Sequence, residues 1–341
     1  MKKLYISILV LILTAGLSFA QNNTGTVDQY GTNYAEIDQT GADNNADIDM
    51  GSPGNPVTNY HLPAYPSDWK RGAWIEQVGQ NNTAATVISN NNNGTGIFQY
   101  GNYNEGYQDI GGYSSYTNGN SPVMGVDINQ MGDNNYAAQW TRPSFGSYSV
   151  QRMFIDQDGN YNVASQYSIG GMANVTNITQ TGNNNNNPAE SGNSFDVSGT
   201  GLTDPLSLPW AHKPAGDFAQ YSNQRLGTTQ IYVIGNGNNT AQYQEYTAWA
   251  PSGDNDATID IYGNGNDAVQ GQLGEYNNSD IDISGDDNIA AGSQFGDSNT
   301  ATMNILGNGN LAGIEQTGNS NTGDISQTGN NNNATISQSD L

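Results

Sequence analysis

Apolar residues in this chain alternate with polar ones in short bursts, and Gly- and Asn-rich tetrads separate the bursts. Ala257, Ile259 and Ile261 alternate with Thr258 and Asp260; Ser279, Ile281 and Ile283 alternate with Asp280 and Asp282. A two-residue period is that of a strand with one dry face and one wet face. The Gly-x-x-Asn segment that follows supplies turn chemistry, because Gly accepts a positive φ and Asn tolerates one. The pattern predicts strand, turn, strand, turn.

The bursts keep a fixed period. Asn255, Asn266, Asn277, Asn288, Asn299, Asn310, Asn321 and Asn332 fall every eleven residues. Three residues before them stand Gly263, Gly274, Gly285, Gly296, Gly307, Gly318 and Gly329, with Ser252 in the first slot. Two residues after them stand Ala257, Ala268, Ser279, Ala290, Ala301, Ala312, Gly323 and Ala334. The next positions alternate between halves: Ile259 and Ile261 give way to Gln270 and Gln272, and Ile281 and Ile283 to Gly292 and Gln294. The unit is two unlike halves, twenty-two residues together. It predicts an all-β fold, a parallel two-sheet β-solenoid with one such unit per rung.

Adjacent parallel strands lie about 4.8 Å apart, so each side chain sits on its counterpart one rung on. Identical Asn and Gln amides can then donate to and accept from one another along a column, while Ile columns leave water. The expected stacking ladder is the eight Asn residues above, Gln272, Gln294, Gln316, Gln327 and Gln338, and Ile259, Ile261, Ile281, Ile283 and Ile305. On the wet face Asp260 and Asp282 stand one rung apart, with Asn304 and Ser326 continuing the column. Like charges at that spacing repel and are only partly screened by salt, which makes these two acids expected gatekeepers against stacking.

The frame extends towards the N-terminus with interruptions. Asn23-x-Gly25-x-Val27-x-Gln29 is already in phase, and Ile97-x-Gln99-x-Gly101-x-x-Asn104 and Ile155-x-Gln157-x-Gly159-x-x-Asn162-x-Ala164 follow it. About twenty half-turns, roughly ten rungs, would span on the order of 50 Å at the parallel-strand spacing. The expected organisation is a signal peptide at 1–20, irregular repeats over 21–251 and regular repeats over 252–341. Insertions are expected near 56–73, 111–125, 141–152, 187–229 and 245–251. All eleven prolines fall in these or in Ser52-Pro53-Gly54, none in a ladder strand, as expected where every ladder N–H is needed.

Composition narrows the function classes. Lys2 and Lys3, the apolar run Leu4–Leu13 and the small-x-small triplet Ser18-Phe19-Ala20 have the form of a secretory signal peptide cleaved near Ala20, so the expected localisation is extracellular or at the cell surface. No later stretch is apolar enough to span a bilayer, so no integral membrane protein is expected. The chain has no cysteine and carries 32 acidic against 8 basic residues, a net charge of −24. That charge argues against nucleic acid as a partner. Low hydrophobicity and high charge suggest disorder, and the phase of the repeat overrides that reading.

The half-repeats resemble the curlin repeat, Ser-x5-Gln-x-Gly-x2-Asn-x-Ala-x3-Gln. Gln327-x-Gly329-x-x-Asn332-x-Ala334-x-x-x-Gln338 fits it throughout, and Gln316 to Gln327 fits it with Gly323 in place of Ala. The resemblance implies a curli-like bacterial surface amyloid, exported and assembled outside the cell as a biofilm fibre. Its partners would be further copies or related curlin-like subunits, together with outer-membrane secretion and nucleation factors. The chain departs from the family in its length, its large insertions and the Ile on alternate halves. The alternative is a non-polymerising surface solenoid adhesin or a fibre nucleator.

Other chemistry is weaker. His61 and His212, both in insertions, are solvated loop residues rather than a metal pair. The many carboxylates include none in a run apolar enough to raise a pKa, so no enzyme is expected. Gly-Asn-Gly-Asn at 235–238, 263–266 and 307–310 is turn rather than phosphate loop, since no helix or Lys follows. No cofactor is expected; weak calcium binding at Asp286, Asp287, Asp267 and Asp297 stays open. Trp69, Trp74, Trp140, Trp210 and Trp249 stand at or beside insertions and are expected to anchor them. Polymerisation is expected through the two ends, where the terminal rungs would leave unpaired strand edges.

Overall fold

The structure, a computed structural model, describes residues 22–32, 34–51, 57–58, 72–89, 93–111, 124–142, 150–169, 173–185, 220–223, 227–245 and 254–340. The signal segment, His61, His212, Trp69, Trp210 and Trp249 lie outside them. Among the described residues every regular element is a strand and every strand pairing is parallel. Successive strands alternate between two sheets. The first sheet has twelve strands, from Thr24–Gln29 to Asn333–Ser339; the second has eleven, from Ala35–Ala42 to Thr322–Thr328. A two-stranded patch, Gly31–Thr32 with Val57–Thr58, stands apart. The fold is a parallel β-solenoid.

Register follows the sequence period. In the regular part each residue pairs with the one twenty-two on: Ala257 with Ser279 and Ser279 with Ala301. Twelve stacked strands span about 50 Å at the parallel spacing. Side chains of the two sheets meet in a narrow interior. Each strand of the second sheet contributes one member of an unbroken column running Ile37, Ile75, Ile97, Ile128, Ile155, Ile178, Ile231, Ile259, Ile281, Met303 and Ile325, all fully buried but the first. Small residues opposite, such as Ala268, Ala290 and Ala312, let the sheets approach.

The two long edges of the solenoid differ. Turns leading from the second sheet to the first are tight at every rung, from Gly41–Asn44 to Gly329–Asn332. Their first residue must be Gly: Gly285 has φ 138° and an added Cβ would lie 2.0 Å from the carbonyl oxygen of Gly307 one rung on. Connections leading from the first sheet to the second carry most of the interruptions, and among the described residues those at 274–277, 296–299 and 318–321 are tight turns. One interruption is different. After the turn ending at Asn185 the first-sheet strand does not follow directly; it is Gln220–Asn223, inside the segment expected to be wholly insertion.

The wet-face expectation describes the second sheet and the ends of the first. Outward positions of the second sheet, such as Thr258, Asp260 and Tyr262, are half-buried or exposed. In the middle strands of the first sheet outward positions such as Ala241, Val269, Ala291 and Ser293 are buried, whereas Asp47 and Glu315 towards its ends are exposed. The cause is composition: small and apolar residues occupy the places that Asp and Asn hold on the other sheet, as in parallel sheets covered on both faces.

Candidate functional site: the amide ladders

The expected Asn column is two columns, one on each edge. Asn266, Asn288, Asn310 and Asn332 continue a ladder that starts at Asn23 and includes Asn44, Asn82 and Asn104. Each member repeats one geometry. Asn288 donates its backbone N–H (2.9 Å) and its Nδ2 (3.0 Å) to Oδ1 of Asn266 below, and its Nδ2 also to the Gly307 carbonyl above (2.9 Å). Asn255, Asn277, Asn299 and Asn321 form the second ladder on the other edge. These amides are buried or nearly so, and leaving one such group unpaired would cost about 1–3 kcal/mol.

Gln residues cross-link the sheets. Gln272, Gln294, Gln316 and Gln338 stand in one column of the first sheet, preceded by Gln244. Each Nε2 donates to Oε1 of the next Gln at 2.8–2.9 Å. The second amide hydrogen goes across the interior: Gln272 to the Asp256 carbonyl, Gln294 to Asn278, Gln316 to Thr300 and Gln338 to Thr322, each at 2.9 Å. Gln327 is not part of this ladder. It lies in the second sheet after Ile261, Ile283 and Ile305, donates to the Leu311 carbonyl (2.9 Å), and its buried Oε1 has no partner. Ile259 and Ile281 share one column of that sheet, Ile261, Ile283 and Ile305 the next.

Three further ladders run through the solenoid, the first of them on Gln positions of the upstream repeat frame and the other two outside the sequence reading. Gln39, Gln77, Gln99, Gln130, Gln157 and Gln180 are linked in the second sheet, and Gln108, Gln139, Gln166, Gln220 and Gln242 in the first. A third runs along the turn surface, where the residue after each turn Gly accepts from the rung before: Asn236 N–H to Asn264, Asn264 to Asp286, Asp286 to Asn308. The recurring Asn or Asp directly after Gly was its available signal.

The candidate calcium carboxylates Asp286, Asp297 and Asp267 each accept from the rung before, in that ladder, in the turns of the other edge and in a strand column respectively. Asp286 Oδ1 accepts from the backbone and side chain of Asn264, Asp297 Oδ1 from the Glu275 N–H, and Asp267 Oδ1 from Asn239. They act as Asn does elsewhere in the ladders. The Cα positions of Asp260 and Asp282 pair directly, and Asp282 pairs with Asn304. Burial, then the charges of Asp282 and Asp280, push the Asp260 carboxyl above its usual range, and its buried Oδ1 has no hydrogen-bond partner.

One expectation is corrected. A carboxyl does stand in an apolar setting: burial pushes Asp127 up to about 6, against a lowering hydrogen bond from Gly96. Its Oδ1 and the Phe98 ring lie over Gly96, its Cα neighbours are Gly96 and Phe154, and Trp74 packs on Phe98 at 6.0 Å. The sequence hides this because Gly96, Asp127 and Phe154 come from three rungs.

Fold and interior together define a parallel two-sheet β-solenoid held by stacked amides and isoleucines. The profile of the curlin associated repeat matches residues 293–318 and 318–339. Two consecutive segments at the C-terminal end of the solenoid are thus similar to the curlin associated repeat. No curated protein matches the chain.

Proposed function

We propose that the protein is exported and stacks end to end into, or onto, a curli-like extracellular fibre. The observation that carries this reading is the match between the two edge strands of the first sheet. Among the described residues Thr24–Gln29 and Asn333–Ser339 each have a strand neighbour on one side only. Their inward side chains agree in type when the first is laid on the second: Gly25 on Ala334, Val27 on Ile336, Gln29 on Gln338, with Asn23 on Asn332 at the turn. Among the described residues Gln338, which donates one amide hydrogen to the Thr322 carbonyl, has no Gln above it to receive the other, and Asn332 has no Asn above it to donate to its Oδ1. Such an edge is a template for another chain. Because the first sheet has one strand more than the second, the junction runs through the first sheet. The contact is heterologous and does not close, so it yields a filament.

A concentration series of the mature chain viewed by negative-stain electron microscopy should show filaments. Ile281→Pro with Ile325→Pro should abolish them, because each Pro removes a ladder donor and sits in the continuous Ile column. Filaments from the double-proline chain with the parent's kinetics would contradict stacking through this segment and favour the adhesin reading.

A further inference from the structure

The two sheets end unevenly. Among the described residues the first has twelve strands and the second eleven. The second begins at Ala35–Ala42 and ends at Thr322–Thr328, each with a strand neighbour on one side only. In a straight filament both sheets must advance by the same length per copy. If Thr24–Gln29 of one copy stacks on Asn333–Ser339 of the copy before it, the second sheet falls one strand short at that junction. Its facing edges then stand two strand spacings apart, about 9.6 Å, which leaves room for one absent strand.

We propose that each junction holds a slot in the second sheet that takes one extended strand of another polypeptide, parallel to its neighbours. The inference rests on end-to-end stacking. The two lips specify the occupant. Inward positions run Gly323, Ile325, Gln327 on one lip and Ala35, Ile37, Gln39 on the other. Ala35 and Ile37 are only partly buried, whereas Ala73 and Ile75 one rung on are buried. The lip amides are complementary. Gln39 donates its amide hydrogens to Gln77 Oε1 (2.8 Å) and to the Thr24 carbonyl (3.1 Å), so its Oε1 is the acceptor on the open side. Gln327 donates one hydrogen to the Leu311 carbonyl (2.9 Å) and its Oε1 is buried, so its other hydrogen is the donor on the open side. A Gln in the strand between accepts from Gln327 and donates to Gln39, as Gln99 does between Gln77 and Gln130. The turn asks for a Gly. Asn310 donates its Nδ2 to the Gly329 carbonyl one rung on (2.9 Å), whereas Asn332 turns back to the Thr328 carbonyl (3.3 Å). A Gly two residues after the inserted Gln gives Asn332 the acceptor that its ladder lacks. The occupant therefore has the form small-x-Ile-x-Gln-x-Gly, held by main-chain bonds to both lips as an added strand. Closure of Thr322–Thr328 directly on Ala35–Ala42 is the competing arrangement and would tilt successive copies.

A fluorescent synthetic peptide of the sequence Thr322–Gly329 has this form. Added to filaments of the mature chain and counted after pelleting, it should saturate at about one peptide per chain, the density of junctions. The same peptide with Ile325→Pro should lose this binding, because Pro removes a ladder donor. Hydrogen exchange gives a second reading. Amides of Thr322–Thr328 and Ala35–Ala42 that face away from their single neighbour should exchange at the monomer's rate in bare filaments and slow when the peptide is added. Absence of filaments overturns end-to-end stacking and the slot with it. Filaments that bind no peptide, or bind it only in proportion to their ends, overturn the slot alone.

Discussion

Gly292 stands in the column of Gln242 and Gln270, ahead of Ile314, one rung past the Gln270 whose Oε1 already has no partner. A Cβ added there would lie 3.3 Å from Met303 Cε, 3.4 Å from Ser279 Oγ and 3.5 Å from Gln270 Cβ. Met303 is the one non-Ile member of its column. The two departures therefore compensate: the long Met side chain reaches into the space that Gly292 leaves. Gln270 Oε1 and Ser279 Oγ, both buried, are left without partners beside it. Gly292→Gln alone should overpack and cost about 1–3 kcal/mol, and Met303→Ile alone should cost less than about 1.5 kcal/mol. Together they should place an amide beside Gln270 in the space the Met vacates and give favourable coupling in a double-mutant cycle measured by urea unfolding of the monomeric chain. Additive losses would mean that the pair is unrelated. Asp127 sets a pH dependence at the same scale. A carboxyl whose folded pKa, about 6, exceeds its unfolded value of about 3.9 binds its proton first in the native state. Stability from this group therefore rises as pH falls from 7 through 6 towards 4, and is lost as pH rises again. Asp49, Asp156, Asp254, Asp260 and Asp280 are shifted the same way, each chiefly by burial. The urea midpoint should be higher at pH 5 than at pH 7.5, and Asp127→Asn should flatten the difference; a midpoint that falls with acid contradicts this.

Strands were legible where the phase is unbroken and obscure where it is not. From 252 onward three columns kept in step reveal both the rung and the ladder members. Farther upstream the interior is just as regular in space, but the chain between rungs varies. Gln166 donates to Gln220 across 54 positions at 2.8 Å, and Gln272 to Gln294 across 22 at the same distance. A ladder requires the same side chain in the next rung, whatever length of chain joins them, so a reading by period loses Gln108, Gln139, Gln166 and Gln220. Burial of the first sheet's outer face was missed for another reason. The alternation was read on strands of the second sheet, and the Gln-bearing runs such as Asp267–Leu273, whose outward Val269, Gly271 and Leu273 are small or apolar, were not read for their outer face. The second sheet keeps its acids, and there two strands meet in a repulsive contact. Asp260→Asn with Asp282→Asn removes the charges from paired positions and the buried, unpartnered carboxylate oxygen. The double variant should shorten the assembly lag followed by light scattering, and added salt should do the same for the parent; lags unchanged in both would remove the gatekeeper role.

At the scale of the whole molecule the repeat divides labour between edges and ends. One long edge is a tight, Gly-fixed, amide-laddered seam; the other gives rise to most of the insertions, which hold the prolines and most of the basic residues. Length change is thereby confined to places that leave ladder hydrogen bonds intact, at little entropic cost. Like an interior rung, the end strands offer the next copy Asn, small, aliphatic and Gln positions in order. The central claim is that assembly extends this pattern from copy to copy, and backbone hydrogen exchange tests it most directly. In the monomer, amides of Thr24–Gln29 and Asn333–Ser339 that face away from their single neighbour should exchange fast, while those of Asn278–Ser284 are protected. In assembled material both edge strands should become as protected as Asn278–Ser284. Filaments whose edge strands still exchange at the monomer's rate would contradict end-to-end stacking.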